Sequence, residues 1–238
     1  MNAPYGMELR ENCNDCASKK ENFFCDVSAP ALSAFERVKF TSSYPSGAVL
    51  FVEGQGPRGV FMVCKGTLKL TMASAEGKTV LVRIAEAGEL LGLHSTISGE
   101  PYELTAEALE PCQINFVRRH DFLMLLREHP EVYAMAALQL TTQYRGACHQ
   151  IRYLGLAQNA TEKLARFLME SANKGESTTQ GIRVNLRLTH EEIAQVIGVS
   201  RETVTRSLSE LRNKSVISTK GPHLWIRNKS ALVAMAAA

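Results

Sequence analysis

The sequence predicts an α+β chain with three parts: an N-terminal β-roll, a long helix suited to pairing, and a C-terminal winged helix-turn-helix. Three observations carry this reading. Glycine-centred turns recur through residues 44–118 and separate short runs rich in Val, Leu, Ile and Phe. Apolar residues repeat at alternating spacings of four and three from position 133 to position 154. Residues 188–208 read as two short, capped helices around a glycine.

A chain of 238 residues holds one or two domains. At 45% hydrophobic and 21% charged residues it has globular rather than disordered composition. No window offers the ~20 uninterrupted apolar residues of a membrane span, and residues 1–20 lack the apolar core of a signal peptide. A cytoplasmic protein with no membrane contact is expected. Residues 1–161 carry 15 basic and 17 acidic side chains, a net −2, whereas residues 162–238 carry 12 and 7, a net +5. That basic third fits an anionic partner such as double-stranded DNA, or an ordinary solvated basic surface.

Residues 1–28 form a polar arm that bears Cys13, Cys16 and Cys25. Residues 29–128 are assigned to the roll. It begins with a short helix over 29–40, where Leu32, Phe35 and Val38 are three apart. Strand-forming runs follow at 48–52, 60–63, 68–71 and 80–84, between turns at Gly47, Gly54, Gly66, Gly77, Gly88 and Gly99.

Residues 129–157 form the long helix, with Pro130 in its first turn. Tyr133, Ala137, Leu140, Tyr144, Ala147, Ile151 and Leu154 make a narrow heptad seam with polar flanks. This is the pattern of two paired helices and so of a homodimer.

Residues 158–238 form the last domain. A helix over 159–170 starts at Asn159 or Thr161 and presents Leu164, Phe167 and Leu168; residues 173–181 read as a loop. Thr189 then caps a helix, with Glu192 three residues on as its capping-box partner. Ile193 and Ile197 face inward, Ala194 is small where helices meet, and Gly198 takes the tight turn. Ser200 caps the second helix, whose buried stripe is Val204, Leu208 and Leu211. Its first turns expose Arg201, Glu202, Thr205 and Arg206, where a helix entering the major groove reaches base edges. Arg matches guanine O6/N7 and Glu accepts from cytosine N4. Arg212, Lys214 and Lys220 are candidate phosphate contacts, and runs at 216–218 and 223–226 suggest a β-hairpin wing.

This order of parts resembles the Crp/Fnr family of bacterial transcription regulators over residues 13–230. The resemblance rests on Gly88, Glu89, Leu90, Leu91, Gly92 and Leu93 in the roll. It rests also on Ser200, Arg201, Glu202, Thr203, Val204, Thr205 and Arg206 in the second helix. It implies a cyclic-nucleotide-binding-like roll, a homodimer, and RNA polymerase as a partner. Arg201, Glu202 and Arg206 match the cyclic-AMP receptor branch, which implies reading of a TGTGA-like palindrome.

For the effector, the family's nucleotide binders carry Arg-Ser/Thr-Ala after the Gly-Glu-Leu turn. Here Leu104, Thr105 and Ala106 follow Glu103, which argues against cyclic nucleotide. Cys13, Cys16 and Cys25, with Cys112 on the roll, resemble the oxygen-sensing Fnr branch and imply a [4Fe–4S] cluster. The eight residues between Cys16 and Cys25 are more than that branch usually has. Zinc, thiol redox, a small ligand or a constitutive DNA binder remain alternatives. Cys64 reads as a core thiol, Cys148 as a thiol beside the seam, and His94 and His149 as ordinary histidines rather than haem ligands. A cupin-like metalloenzyme is a remote alternative, because no histidine pair has ligand spacing on a strand.

Overall fold

Two four-stranded antiparallel sheets form the frame of the N-terminal unit. The computed structural model describes residues 4–7, 9, 12–13, 16, 24–77, 79–156, 159–173, 175–185, 188–221 and 223–236. The chain divides into two units, Met1–Gly146 and Ala147–Ala238.

In the first unit, α1 (Ala29–Val38) has Pro30 in its opening turn and buries Ala31, Leu32, Ala34 and Phe35. The helix ends before residue 40 because Lys39 turns extended and starts β1 (Lys39–Tyr44). That strand pairs with β8 (Cys112–Arg118) over its whole length. Between them come β2 (Val49–Phe51), β3 (Gly59–Lys65), β4 (Leu68–Ala73), β5 (Thr79–Ala85), β6 (Leu90–Leu91), α2 (Leu93–Ser98) and β7 (Thr105–Ala108). The sheet orders are β1-β8-β3-β6 and β2-β7-β4-β5. The helices α3 (Arg119–Glu128) and α4 (Pro130–Leu156) follow, and the division between units falls within α4.

The central strand β3 is buried on both sides. Phe61 and Val63 join Leu68, Leu91, Tyr102 and Ile114 in the roll interior. Val60 and Met62 face the other way, among Leu32, Phe35, Phe122 and Val132. Successive strand residues point to opposite faces, so a two-sided core needs a continuous apolar run. Each such side chain contributes roughly 1.5–3 kcal/mol of burial.

In the second unit, α5 (Ala160–Asn173) starts at Asn159, whose Oδ1 accepts from the Glu162 N–H at 2.9 Å. The helices α6 (His190–Ile197) and α7 (Arg201–Asn213) come next, then β11 (Ile217–Lys220), β12 (His223–Ile226) and α8 (Lys229–Ala236). The expected loop at 173–181 holds a strand: β9 (Glu176–Thr178) pairs with β10 (Gly181–Asn185). The wing is thereby extended into a sheet of order β11-β12-β10-β9. Its edge strand is short and polar, so no hydrophobic alternation marks it. Leu164, Leu168, Ile193, Ile197, Val204, Leu208, Leu211, Leu224 and Ile226 form one core.

Candidate functional site

The helix-turn-helix forms as its local chemistry dictates. The Thr189 hydroxyl accepts from the Glu192 N–H at 3.2 Å, and Glu192 Oε2 accepts from the Thr189 N–H at 2.8 Å. Two of the helix's otherwise unmade donor bonds are thus satisfied. Gly198 closes α6 in the left-handed region at φ 64°, a conformation costly for any residue with a Cβ. Ser200 Oγ accepts from the Thr203 N–H at 3.2 Å and starts α7. Val204, Ser207, Leu208 and Leu211 anchor α7 in the core. Arg201, Glu202 and Arg206 are therefore exposed on its opposite side at its N-terminal end.

Hydrogen bonding from Glu202's own backbone N–H and from Ser200 holds the Glu202 carboxyl below the usual carboxylate range. It is an acceptor at neutral pH. The Thr205 hydroxyl is already engaged, with His190 Nδ1 at 2.9 Å and the Arg201 carbonyl at 3.0 Å. It ties α7 to the start of α6 rather than pointing unencumbered to solvent. Arg212 donates to Ser209 Oγ at 2.9 Å. Lys214 ends α7, and Lys220 is exposed at the end of β11.

On α4, Val132 and Ala136 are buried. Gln139 and Gln143 bind the Gly88–Leu90 turn: Gln139 donates to the Gly88 carbonyl at 3.2 Å, and Gln143 to the Leu90 carbonyl at 3.0 Å. Tyr133, Tyr144 and Ile151 are 63%, 72% and 68% exposed, and Ala137 and Ala147 are exposed with them. Leu140 is half-buried, packed in part against the first unit's own core. The side chain of Leu154 lies outside the described residues.

The cysteine set differs from expectation. All six cysteines are thiols. Cys13 and Cys25 are buried in the core that holds Val60, Met62 and Val117. Cys112 is fully buried on the opposite face of the same sheet, with Ile114 in the roll interior. Its Sγ donates to the Glu110 carbonyl at 3.1 Å and the Thr67 carbonyl at 3.4 Å. Burial pushes this thiol up to about 11, helped by the neighbouring Glu110. Strand alternation sets Cys112 on the face of β8 opposite to Asn115, whose amide reaches Cys13.

The cysteine that does join them is Cys64, which the sequence places as an ordinary core thiol. It is half-buried and packs on the outer cluster. Burial pushes Cys64 up to about 12, with further upward contributions from Cys25 and Cys16 and an opposing one from Lys39. Burial likewise pushes Cys13 up to about 12, its hydrogen bond with Glu36 adding to the rise. Among the described residues, no group of three or more His, Cys, Asp or Glu side chains stands ready to hold a metal ion.

In the roll, Glu89 is occupied internally. It accepts from the Glu86 N–H at 2.8 Å and pairs with Arg83. Glu103 pairs with His94 at 2.7 Å. Tyr102 fills the interior, stacked on Phe51 with ring centroids 4.3 Å apart.

A β-roll, a long helix with an exposed apolar stripe and a capped helix-turn-helix with a wing define a DNA-binding transcription regulator. Residues 162–235 match the Crp-like helix-turn-helix domain, and residues 41–129 match the cyclic nucleotide-binding domain. The cAMP-activated global transcriptional regulator CRP of Pasteurella multocida is 25% identical over 81% of this chain and 92% of its own. The global nitrogen regulator of a Synechocystis species is 24% identical over 87% and 89%. FixK2 from Bradyrhizobium japonicum superposes with a TM-score of 0.74 at 23% identity, over 84% of this chain and 98% of that one. The chain belongs to the Crp/Fnr family. The Pasteurella and Synechocystis relatives are regulators by name, and the cupin-like metalloenzyme alternative is set aside. Among the described residues, no helix is long and apolar enough to cross a membrane.

Proposed function

We propose that the protein is a cytoplasmic, homodimeric regulator that reads a TGTGA-like palindrome in double-stranded DNA and works with RNA polymerase. The observation that carries this is the N-terminal end of α7. There Arg201, Glu202 and Arg206 are exposed while Val204, Leu208 and Leu211 fix the helix from behind. Arg201 and Arg206 suit the O6/N7 acceptors of guanine, and the ionised Glu202 suits cytosine N4. Thr205 supports the helix through His190, and Ser200 sets its start. Arg212, Lys214 and Lys220 add positive charge towards the phosphate backbone.

The exposed stripe of Tyr133, Ala137, Tyr144, Ala147 and Ile151 supports pairing of two copies through α4. A dimer presents two recognition helices about one DNA turn apart, matching the two-fold symmetry of a palindrome.

We assign the sensing of oxygen or redox state to the cysteine-bearing N-terminal arm. A [4Fe–4S] cluster would supply oxygen-sensitive iron–thiolate chemistry if one were held there. The set Cys13, Cys16, Cys25 and Cys112 does not fit that group, because Cys112 is on the wrong face of the sheet. The packed interior around Tyr102 and the internal pairing of Glu89 argue against a cyclic nucleotide effector.

The test is a DNA-binding titration of the full chain on a TGTGA palindrome and on the same duplex with both half-sites scrambled, at fixed salt. Preference for the palindrome is expected. Equal affinity for both would overturn the reading.

A further inference from the structure

We propose that His190, on the first helix of the helix-turn-helix, contacts a DNA phosphate and does so only in its protonated form, which links DNA binding to proton uptake. This rests on the reading of α7 as the recognition helix and adds a contact that α7 does not itself supply.

The hydrogen-bond pattern fixes which ring nitrogen carries the proton. The Thr205 hydroxyl has one proton, and it goes to the Arg201 carbonyl at 3.0 Å, because a carbonyl only accepts. The hydroxyl oxygen therefore accepts from His190 Nδ1, which stands 2.9 Å away. The bond made by one ring nitrogen sets the state of the other. The neutral ring is thus the Nδ1–H form, and its Nε2 carries a lone pair.

Position decides what Nε2 meets. His190 opens α6 and is exposed. Thr205, to which the ring is tied, lies on the exposed side of α7 with Arg201, Glu202 and Arg206, while Val204 and Leu208 turn to the core. The ring is therefore held beside the face assigned to base reading, and Nε2 diverges from Thr205 across the ring. When a helix-turn-helix docks, its second helix enters the groove and its first crosses the phosphate backbone.

A phosphate oxygen is an acceptor. Neutral His190 sets one acceptor against another, whereas the imidazolium offers an Nε2–H donor and a positive charge. Contact takes one proton from solvent onto each His190.

The helices packed on α6 are α5 and α7. On α6 itself, Glu191 is exposed and Glu192 is engaged in the cap with Thr189. On α7 the charged groups are Arg201, Glu202 and Arg206 around Thr205, with Glu210 and Arg212 beyond. On α5, Glu162 and Arg166 pair at 2.6 Å, and Lys163 and Glu170 complete the set. Carboxylates, ammonium and guanidinium groups as classes keep their charge between pH 6 and 8, and imidazole is the class that changes.

The experiment is a DNA-binding titration of the full chain from pH 6 to pH 8 at fixed salt. It uses the TGTGA palindrome and the scrambled duplex, with wild type, His190→Asn, His190→Arg and His223→Asn. Circular dichroism verifies each fold across that range. Wild type should bind about tenfold more tightly per His190 contact at pH 6 than at pH 8, on both duplexes, the order of one charge-assisted hydrogen bond. His190→Asn keeps a donor for Thr205 but has no second nitrogen, so it should bind at every pH as wild type does at pH 8. His190→Arg, charged throughout, should bind at pH 8 as wild type does at pH 6. His223→Asn, on the wing strand opposite Lys220, should keep the wild-type slope.

A pH slope absent from wild type, retained by His190→Asn or lost in His223→Asn overturns the proposal. A slope confined to the palindrome overturns it too, since that is the behaviour of a base contact. The slope is read on either duplex, so it stands apart from palindrome preference, whose absence overturns the reading of α7 and not the proton linkage.

Discussion

Cys112 and Asn115 stand three residues apart on β8 and face opposite sides of one sheet, Cys112 into the roll and Asn115 onto Cys13. The Cys112 thiol is closed in by the Glu110 and Thr67 carbonyls, and Gly66 passes so near that an added Cβ would lie 2.5 Å from its sulfur. At about 11, its pKa leaves a thiolate fraction on the order of a hundredfold below that of an ordinary thiol. Iodoacetamide at pH 8 should therefore modify half-buried Cys148 well before Cys112. The Cys112 rate should climb as pH approaches 11, because only the thiolate attacks. Peptide mass spectrometry after timed quenching measures both rates, and equal rates at pH 8 would contradict this placement.

Tyr102 holds the roll closed. Its hydroxyl donates to the Gly59 carbonyl at 2.8 Å and accepts from the Arg58 and Gly59 N–H groups at 3.1 and 3.2 Å. Tyr102→Phe keeps the ring stack on Phe51 but removes all three bonds in a buried setting. The cost should be about 1–3 kcal/mol, seen as a lower midpoint for the first unit in urea unfolding. Gly92→Ala should be at least as damaging. Gly92 sits at φ 69°, and a Cβ there would lie 2.6 Å from Tyr102 Cε1.

The parts of the fold that were legible in the sequence are those written locally. Thr189, Glu192, Gly198 and Ser200 act within one turn of themselves, and each occupies the cap or turn position its chemistry implies. Register is not local. Whether Cys112 faces in or out depends on its pairing with Tyr44 across the sheet, and no spacing within 110–118 reveals it. The face that Cys64 takes is hidden for the same reason, since a hydrophobic run buried on both faces has no alternation from which to read a side. Leu140 shows a related limit, because heptad spacing does not reveal that it also packs in part on the first unit's core.

The capping box itself has a measurable worth. Thr189→Ala leaves the Glu192 N–H without its acceptor while Glu192 still reaches the residue 189 backbone. The loss should be about 1 kcal/mol, within the 0.5–2 kcal/mol range for such caps. Thermal unfolding of the second unit should shift downward, and Thr189→Ser should restore most of the shift. A Ser variant no better than Ala would show that the hydroxyl bond is not the source.

The exposed face of α4 predicts an effect on assembly without an effect on fold. Tyr144 is 72% exposed and its neighbours Ala147 and Ile151 are exposed with it. Tyr144→Asp combined with Ile151→Lys should leave circular dichroism unchanged. Sedimentation equilibrium should show a monomer where wild type is a dimer. Affinity for the palindrome should fall towards that for a single half-site, because the second recognition helix is no longer delivered by the same particle. A variant that remains dimeric would place the interface elsewhere.

Arg201 and Lys220 should fail in different ways, and the difference separates base reading from charge. Arg201 is at the first turn of α7, from which the proposed reading has its guanidinium reach a base edge. Arg201→Ala should cost about 1–3 kcal/mol on the palindrome and much less on scrambled DNA, flattening the preference at one base pair of each half-site. Lys220 is exposed at the end of β11, in the wing rather than in the recognition helix. Lys220→Ala should weaken binding equally on both duplexes and reduce the salt slope of log K by about 1 per contact. Titrations over a range of salt on both duplexes read all four numbers. If Arg201→Ala instead weakened both duplexes equally, Arg201 would be a phosphate contact, and sequence reading would fall to Glu202 and Arg206.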